Sequence, residues 1–310
     1  MPLPYRVDEF SAGLTTEELA ERISRDREVL EDKLLNHGAL LFRGAKVTSA
    51  EDFRTVVTAL TPDLLAYTGG GSPRSKVEGR IYTSTEYVGT VHIPLHCEMS
   101  YTPRIPGRIW FFCLKNAESG GATPLGYLEE IGKRLPTEIT ARFREKGVRY
   151  TAFMNHGAGF GKSWQKTYET DDRDEVSALL DGEDGLEYEW RADGLFVSRT
   201  HPSHRRHSVT GEELWYNQAV NWHPAHLGMV NFDKMKKVFG DPETFPKMAF
   251  FGDGTSIPPE DILKIDEVSR DCERNFGWEE GDVVLVDNER VAHGRHAFTG
   301  ERCVLVAMAA

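Results

Sequence analysis

Seven short runs of mainly apolar and β-branched residues, separated by turn-forming segments, constrain the fold of this chain more than any other sequence feature. They occupy residues 39–42, 80–83, 108–113, 194–198, 213–216, 282–286 and 302–308. Runs of this length are too short for buried helices and are typical of strands. Helical periodicity is found at 16–36, 49–60, 127–145, 229–238 and 259–275. We therefore predict a mainly β core with flanking helices, an α+β fold.

Size and composition favour a single domain over residues 1–310. The chain has 310 residues, of which 39% are hydrophobic and 28% charged, so it is apolar enough to bury a substantial core. No repeat, low-complexity tract or Pro/Gly/Ser-rich linker divides the sequence. The polar segment at 170–185 is expected to be an excursion within this domain.

Charge and hydropathy exclude several classes of partner. Asp and Glu outnumber Lys and Arg by 49 to 37, and the net charge of −12 disfavours binding to nucleic acid. The sequence lacks an apolar stretch of about 18 residues and a secretory signal, so we expect no membrane association. The four cysteines form no Cys-x-x-Cys pair and are expected to be reduced thiols in a cytoplasmic protein.

One histidine–carboxylate pair is a candidate metal site. His96 and Glu98 are separated by one residue, and in a strand the side chains of such residues project from the same face. His293 follows a buried run and is the best third ligand. Two histidines and one carboxylate form the facial triad of non-haem Fe(II) oxygenases, which leaves three positions open. The residues alone also leave a structural role for the pair open. His156 and His207 are weaker candidates, as is His204, because no carboxylate lies at strand spacing from them.

Further motifs identify a family resemblance that covers most of the chain, from residue 37 to the C-terminus. His96-x-Glu98 is followed by Gly-Gly-Ala-Thr-Pro at 120–124 and by a segment at 281–302 that contains His293. In this order the motifs resemble the taurine dioxygenase superfamily, and in particular its clavaminate-synthase-like branch.

The resemblance implies a double-stranded β-helix, or jelly roll, that binds Fe(II) and 2-oxoglutarate and reacts with O₂. His96, Glu98 and His293 match the iron ligands and thereby the catalytic residues of the family. Thr123 and Arg302 match the residues that contact 2-oxoglutarate. The planar guanidinium of an arginine suits a carboxylate because it donates two parallel hydrogen bonds.

The implied reaction is hydroxylation of an unactivated C–H bond in an amino acid or amino-acid-derived small molecule, with release of succinate and CO₂. The substrate is free or tethered to a carrier protein. Desaturation, cyclisation or epoxidation with the same cofactors is the alternative, and a non-catalytic metal-binding jelly roll is a third hypothesis. Val306 stands where taurine-type relatives have a second arginine, which disfavours a sulfonate substrate, and Glu98 disfavours halogenation.

Each of three sequence features allows two interpretations. The cationic run at 201–207 is interpreted as a solvated loop, or else as a grip on an anionic substrate. Arg295 either points into the site or orients a neighbouring carboxylate. The glycines at 69–71 indicate a flexible loop and, given the resemblance, a lid over the substrate. The sequence predicts no oligomeric state.

Overall fold

The computed structural model describes residues 2–67, 74–157 and 159–310. The glycine run at 69–71 lies outside the described residues. Eighteen strands are assigned in the described part of the chain: β1 Tyr5–Arg6, β2 Ala39–Phe42, β3 Lys76–Glu78, β4 Ile81–Thr83, β5 Ile93–His96, β6 Arg108–Lys115, β7 Ser119–Gly120, β8 Leu125–Tyr127, β9 Val148–Asn155, β10 Leu186–Arg191, β11 Gly194–His201, β12 His204–Arg206, β13 Glu213–Trp215, β14 Met248–Phe251, β15 Val283–Asp287, β16 Val291–Arg295, β17 Phe298–Thr299 and β18 Cys303–Ala309.

The same residues contain eleven α-helices, listed here with their bounds: α1 Asp8–Ser11, α2 Thr16–Arg25, α3 Arg27–His37, α4 Ala50–Leu60, α5 Leu128–Arg134, α6 Thr137–Lys146, α7 Trp164–Tyr168, α8 Arg173–Asp181, α9 Ala219–Trp222, α10 Met229–Phe239 and α11 Pro259–Asp271. Two short 3₁₀ helices lie at Pro224–Leu227 and Pro242–Thr244. Within the described ranges, no helix is both long enough and apolar enough to cross a bilayer.

The largest sheet joins strands from both ends of the chain. Its order is β1-β2-β15-β6-β18-β4-β3. The three central strands, β15, β6 and β18, pair antiparallel with their neighbours. They are also the most apolar of the runs, as expected for strands that are covered on both faces.

A three-stranded sheet, β5-β16-β8, lies opposite one face of the large sheet. Phe111 and Val306 of the large sheet share an apolar interior with Leu125 and Val291 of the small one. The other face of the large sheet presents residues such as Trp110 to the helices α2, α3 and α4. These opposed antiparallel sheets form the jelly roll, and the prediction of a mainly β core with flanking helices is confirmed.

Residues 148–271 form a second layer against the outer face of the small sheet. This segment contains a four-stranded sheet, β10-β11-β9-β14, and most of the later helices. Leu95 of β5 and Ala292 of β16 contribute to its core. Because side chains alternate along a strand, the neighbouring His96 and His293 face the jelly-roll interior instead.

Two predicted helices are each divided in the structure. The stretch 16–36 breaks at Asp26, whose carboxylate pairs with Arg22 and Arg25 while its backbone leaves the helical conformation. The stretch 127–145 breaks before Pro136, since proline disfavours a helical conformation in the residue that precedes it. The predicted helix at 259–275 ends at Asp271. Because the terminal strands share one sheet, we propose that residues 1–310 fold as a single domain.

Candidate metal centre

The three predicted ligands converge at one point of the jelly-roll interior. His96 of β5 and His293 of β16 are direct partners across an antiparallel pair, and their ring centroids are 4.4 Å apart. Oε2 of Glu98 lies 3.7 Å from Nε2 of His293. One potential ligand atom from each residue lies within 4.8 Å of the others. In the described part of the chain, this is the one such group of three or more His, Cys, Asp or Glu residues.

Glu98 reaches the site from a turn, and the expectation that it shares a strand with His96 is wrong. β5 ends at His96, and residues 98–100 form a turn in which Met99 has φ 54°. The fully buried Asn288 fixes this turn, because its Oδ1 accepts the Glu98 N–H at 2.8 Å. Its Nδ2 donates to the carbonyls of Glu98 and Pro106, at 3.1 and 2.7 Å. The carboxylate is therefore positioned by a side chain that follows β15.

A glycine allows the two histidine strands to approach closely. A Cβ on Gly294 would lie 2.6 Å from the carbonyl oxygen of Ile93, which is closer than real Cβ atoms come. The pairing register of β16 with β5 shifts between His293 and Arg295, so an irregularity lies beside the ligand. Glycine is therefore required between these two residues.

The electrostatics of the three side chains suit a divalent cation. Burial lowers the pKa of His96 to about 3, so its imidazole is neutral at physiological pH. Burial opposes ionisation of Glu98, but Arg74 and the two histidines hold the pKa of this carboxyl well below its usual range. Nδ1 of His96 lies 2.9 Å from the Pro94 carbonyl, which favours a proton on Nδ1 and leaves Nε2 free to coordinate. Two imidazoles and one carboxylate fit Fe(II).

The two predicted cosubstrate residues also lie together. Arg302 donates from Nη2 to Oγ1 of Thr123 at 3.2 Å and from Nε to the Gly121 carbonyl at 2.9 Å. The buried Trp278 donates its indole N–H to the same threonine oxygen at 3.1 Å. Burial lowers the pKa of Arg302 to about 10, so the guanidinium remains charged at neutral pH.

One cavity joins the two groups of residues. It is lined by His96, His293, Thr123 and Arg302, together with apolar side chains such as Phe111. A small dicarboxylate in this cavity would contact the arginine at one end and the histidine–carboxylate group at the other. The arrangement therefore suits a metal ion and an organic acid bound side by side.

Arg295 has a structural role. Its Nη1 donates to the carbonyls of Thr85 and Tyr87, and its Nη2 donates to those of Val88 and Val91, at 2.9 to 3.1 Å. Arg295 also lines the cavity, but these four bonds direct its guanidinium to the 85–91 segment. It therefore orients the backbone of this segment, and the interpretation that it orients a neighbouring carboxylate is wrong.

The cationic run at 201–207 is only partly solvated, and a grip on an anionic substrate stays a hypothesis. The run turns from β11 into β12, and His207 is buried with Nε2 3.0 Å from a carboxylate oxygen of Asp287. Arg205 pairs with Glu289 at 2.8 Å. The Arg205–Glu289 ion pair and the His207–Asp287 contact attach the run to the turn between β15 and β16, while Pro202 and Arg206 remain exposed. The run is not among the residues that line the cavity. The weaker metal candidates His156, His204 and His207 lie outside the ligand group.

Sequence reasoning missed three residues that shape the site: Arg74, Trp278 and Asn288. Asn288 and Trp278 flank the run at 282–286, but neither has a spacing that marks it. Arg74 precedes β3, far from the motifs in sequence, and donates to Glu98 at 2.5 Å. Charge pairing with a candidate ligand was the only signal that could have indicated Arg74, and that signal requires the fold.

Comparison with known proteins gives concordant results. The sequence model of the protein family described as "Taurine catabolism dioxygenase TauD, TfdA family" matches residues 2–308. The dapdiamide synthesis protein DdaC of Enterobacter agglomerans is 34% identical over 282 residues, which cover 91% of this chain and 83% of that protein. A clavaminate synthase-like protein of Arabidopsis thaliana is 31% identical over 324 residues, with 99% and 93% coverage.

A solved structure shows the same fold at low sequence identity. Asparagine oxygenase, in complex with Fe(II), 3-hydroxyasparagine and succinate, aligns with a TM-score of 0.56 and 10% identity. The alignment covers 94% of this chain and 83% of that one. At this identity the likeness concerns the fold alone.

Proposed function

The chain belongs to the TauD, TfdA family of dioxygenases, and on that premise we propose that it is an Fe(II)- and 2-oxoglutarate-dependent hydroxylase of an amino acid or amino-acid-derived small molecule. The observation that carries this proposal is the convergence of His96, Glu98 and His293 beside the Arg302–Thr123 pair in one cavity. The complex of asparagine oxygenase, a protein of the same fold, with Fe(II) and succinate supports the choice of cofactors.

The residues of the site have separate roles in this proposal. His96, Glu98 and His293 would hold Fe(II), and Arg302 with Thr123 would bind the distal carboxylate of 2-oxoglutarate. When bound, these groups and O₂ supply the oxidation: 2-oxoglutarate, O₂ and R–H give succinate, CO₂ and R–OH. Apolar side chains such as Phe111 and Val304 exclude water from the cavity.

Glu98 distinguishes hydroxylation from halogenation. Its carboxylate occupies a position that a halide ion would need on the metal, so the product is expected to gain oxygen and no halogen. Asn288 holds the Glu98 backbone from both sides, which keeps the carboxylate in place.

The substrate class is inferred from similar proteins. Asparagine oxygenase carries a hydroxylated amino acid in its structure, and the relative from Enterobacter agglomerans is a dapdiamide synthesis protein. We extend from these an amino-acid-like small molecule, either free or tethered to a carrier protein. We also propose a cytoplasmic location, in which the four free cysteines would stay reduced.

Succinate formation tests the proposal. Purified anaerobically and supplied with Fe(II), 2-oxoglutarate and candidate amino acids, the protein is expected to form succinate when O₂ is admitted. His96→Ala and His293→Ala should abolish both succinate formation and Fe(II) binding. His204→Ala is the control, because His204 lies outside the ligand group. Full Fe(II) binding by the double ligand variant would contradict the assignment.

Mass spectrometry of the product separates the remaining alternatives. A gain of one oxygen supports hydroxylation or epoxidation, while a loss of two hydrogens supports desaturation or cyclisation. A chlorine isotope pattern would overturn the role of Glu98. A protein that binds the metal but consumes no 2-oxoglutarate would instead be the non-catalytic jelly roll.

A further inference from the structure

Arg74 is a buried cation whose hydrogen-bonding capacity is largely unused. Its side chain is 3% exposed, and Nη2 donates to Oε2 of Glu98 at 2.5 Å. Nε and Nη1 are buried without a hydrogen-bond partner among the residues that the structure describes. A guanidinium carries five N–H donors, and leaving buried donors unpaired is energetically costly. The two free nitrogens therefore indicate a missing acceptor.

Arg74 lies beside the proposed reaction site. Arg74 lines the same cavity as His96, His293 and Arg302. The Tyr67 ring lies 4.5 Å from the guanidinium carbon of Arg74 and supports this group by a cation–π contact. Tyr67 thus limits the positions that the guanidinium can take, so an acceptor in the cavity would meet an oriented donor.

The charges that surround the cavity leave room for an additional anion. Its charged lining consists of Arg74, Arg295 and Arg302, and it includes no acidic residue among the described ones. Arg295 is engaged by four backbone carbonyls, and Arg302 is assigned to 2-oxoglutarate. Arg74 holds Oε2 of Glu98, which is also the oxygen that lies 3.7 Å from Nε2 of His293, so a divalent cation bound through Oε2 would compete with Arg74. A cation that draws this oxygen away would leave the buried charge on Arg74 in need of a new partner.

The geometry of a guanidinium suits a carboxylate in that place. A guanidinium can donate two parallel hydrogen bonds either from Nε and Nη2 or from Nη1 and Nη2, so Nη2 takes part in both arrangements. Its release from Glu98 would therefore make either arrangement available to a carboxylate.

We propose that Arg74 exchanges partners: it holds Glu98 in the metal-free protein, and it binds a carboxylate of the organic substrate once Glu98 holds the metal. The inference rests on the proposed function and narrows its substrate class to carboxylic acids. A carboxylate could come from the substrate or from 2-oxoglutarate itself. We assign the substrate, because Arg302 and Thr123 already form a cosubstrate site.

The first experiment needs no substrate. Protein stripped of metal is titrated with Mn(II), and free Mn(II) is measured by electron paramagnetic resonance. Arg74→Gln is expected to bind Mn(II) several-fold more tightly than the original protein, because a cation that competes for Glu98 has been removed. Arg74→Lys keeps the charge and should stay close to the original affinity. Equal or weaker binding by folded Arg74→Gln, with folding checked by circular dichroism, would overturn the exchange.

The second experiment identifies the carboxylate. Free and N-acylated amino acids, each paired with its carboxamide, are tested for stimulation of succinate formation by the Fe(II)-loaded enzyme. Acids should stimulate and the matched amides should not. In Arg74→Gln, the acid concentration for half-stimulation should rise by about 30-fold, the usual scale for removing one partner of a buried charge pair. The KM for 2-oxoglutarate should change by less than about threefold.

Each contrary result has one meaning. Equal stimulation by an acid and its matched amide would overturn the assignment of carboxylic acids as the substrate class. The absence of stimulation by any of the acids would overturn it as well. A rise in the KM for 2-oxoglutarate without a change in the acid requirement would assign Arg74 to the cosubstrate. Failure of the proposed function would appear separately, as an original protein that binds neither Mn(II) nor 2-oxoglutarate.

Discussion

Substitutions of Arg302 and Thr123 test the proposed 2-oxoglutarate site at the scale of single residues. Arg302→Leu removes the charged partner of a desolvated carboxylate and should weaken 2-oxoglutarate binding by about 2 kcal/mol or more, roughly 30-fold. Thr123→Val removes one hydrogen-bonding hydroxyl and should have a smaller effect. The KM for 2-oxoglutarate in succinate formation measures both changes.

Arg206→Leu is the matched control for Arg302→Leu. Arg206 is exposed and donates to the Gly211 carbonyl, away from the cavity. Its substitution should leave the KM for 2-oxoglutarate unchanged. An unaltered KM in Arg302→Leu would mean that the distal carboxylate binds elsewhere.

The predictions of single residues that the structure supports depended on short spacings in the sequence. His96 and Glu98 are near neighbours in sequence, and His293 is linked to them by a family motif, so all three could be named before the fold was known. Arg74 could not, because its role depends on a contact with Glu98 across a chain separation of 24 residues. The role of Arg295 could not be predicted for the same reason, because backbone carbonyls distant in sequence determine its orientation.

Gly294 governs the closest approach of two strands, and its substitution tests the site at the scale of elements. In Gly294→Ala, the new Cβ would collide with the Ile93 carbonyl and push β16 away from β5. The expected result is a loss of stability of about 1–3 kcal/mol together with weaker Mn(II) binding, because His293 and His96 separate. Thermal unfolding and Mn(II) titration measure the two effects.

Gly277→Ala is the control for Gly294→Ala. Gly277 has open space around the position of a Cβ and no left-handed backbone conformation. It should tolerate alanine with little change in stability. Unchanged Mn(II) binding in Gly294→Ala would show that the strands can separate without moving the imidazoles.

A buried histidine at the start of a 3₁₀ helix makes stability depend on pH. Nδ1 of His223 accepts the Ala225 N–H at 3.2 Å, so protonation of this nitrogen would break the cap. Burial, followed by the charge of His226, lowers the pKa of His223 from 6.5 to about 4. Between these pH values the unfolded chain binds the extra proton and the folded chain does not. The His223 contribution to stability is therefore lost as pH falls, by about 2 kcal/mol between pH 7 and pH 5.

His223→Asn isolates this contribution. Asparagine keeps an oxygen that can cap the helix but does not titrate in this range. Urea unfolding at pH 7 and pH 5 should show a smaller difference in the free energy of unfolding for the variant than for the original protein. An equal difference would place the pH dependence in other groups, such as His92, whose pKa burial also lowers to about 4.

Helices and strands could be predicted where the pattern of apolar residues within the segment itself indicates them. The most apolar strands, such as β15 and β18, stand out because both faces are covered. β16 has the sequence Val-Ala-His-Gly-Arg, which shows no strand pattern, and it becomes a strand because β5 and β8 flank it. Asp26 divides a continuous helical pattern, and no glycine or proline in the sequence marks the break.

The whole molecule is expected to unfold in one transition. β1 and β2 share a sheet with β18, and residues 148–271 pack on β5 and β16 through Leu95 and Ala292. Unfolding by urea should therefore give coincident curves by far-ultraviolet circular dichroism and by fluorescence of the six tryptophans, of which Trp110 and Trp215 lie in different cores. Two separate transitions would contradict the single domain.

The direct pairing of His96 with His293 makes metal binding sensitive to strand registration. Sliding β16 along β5 by one residue would turn every β16 side chain to the opposite face, so the two imidazoles could not reach a common ion. An ion that binds only the correctly paired strands stabilises them selectively by mass action. Divalent metal present during folding would thus favour chains in which β5 and β16 have paired in the correct register.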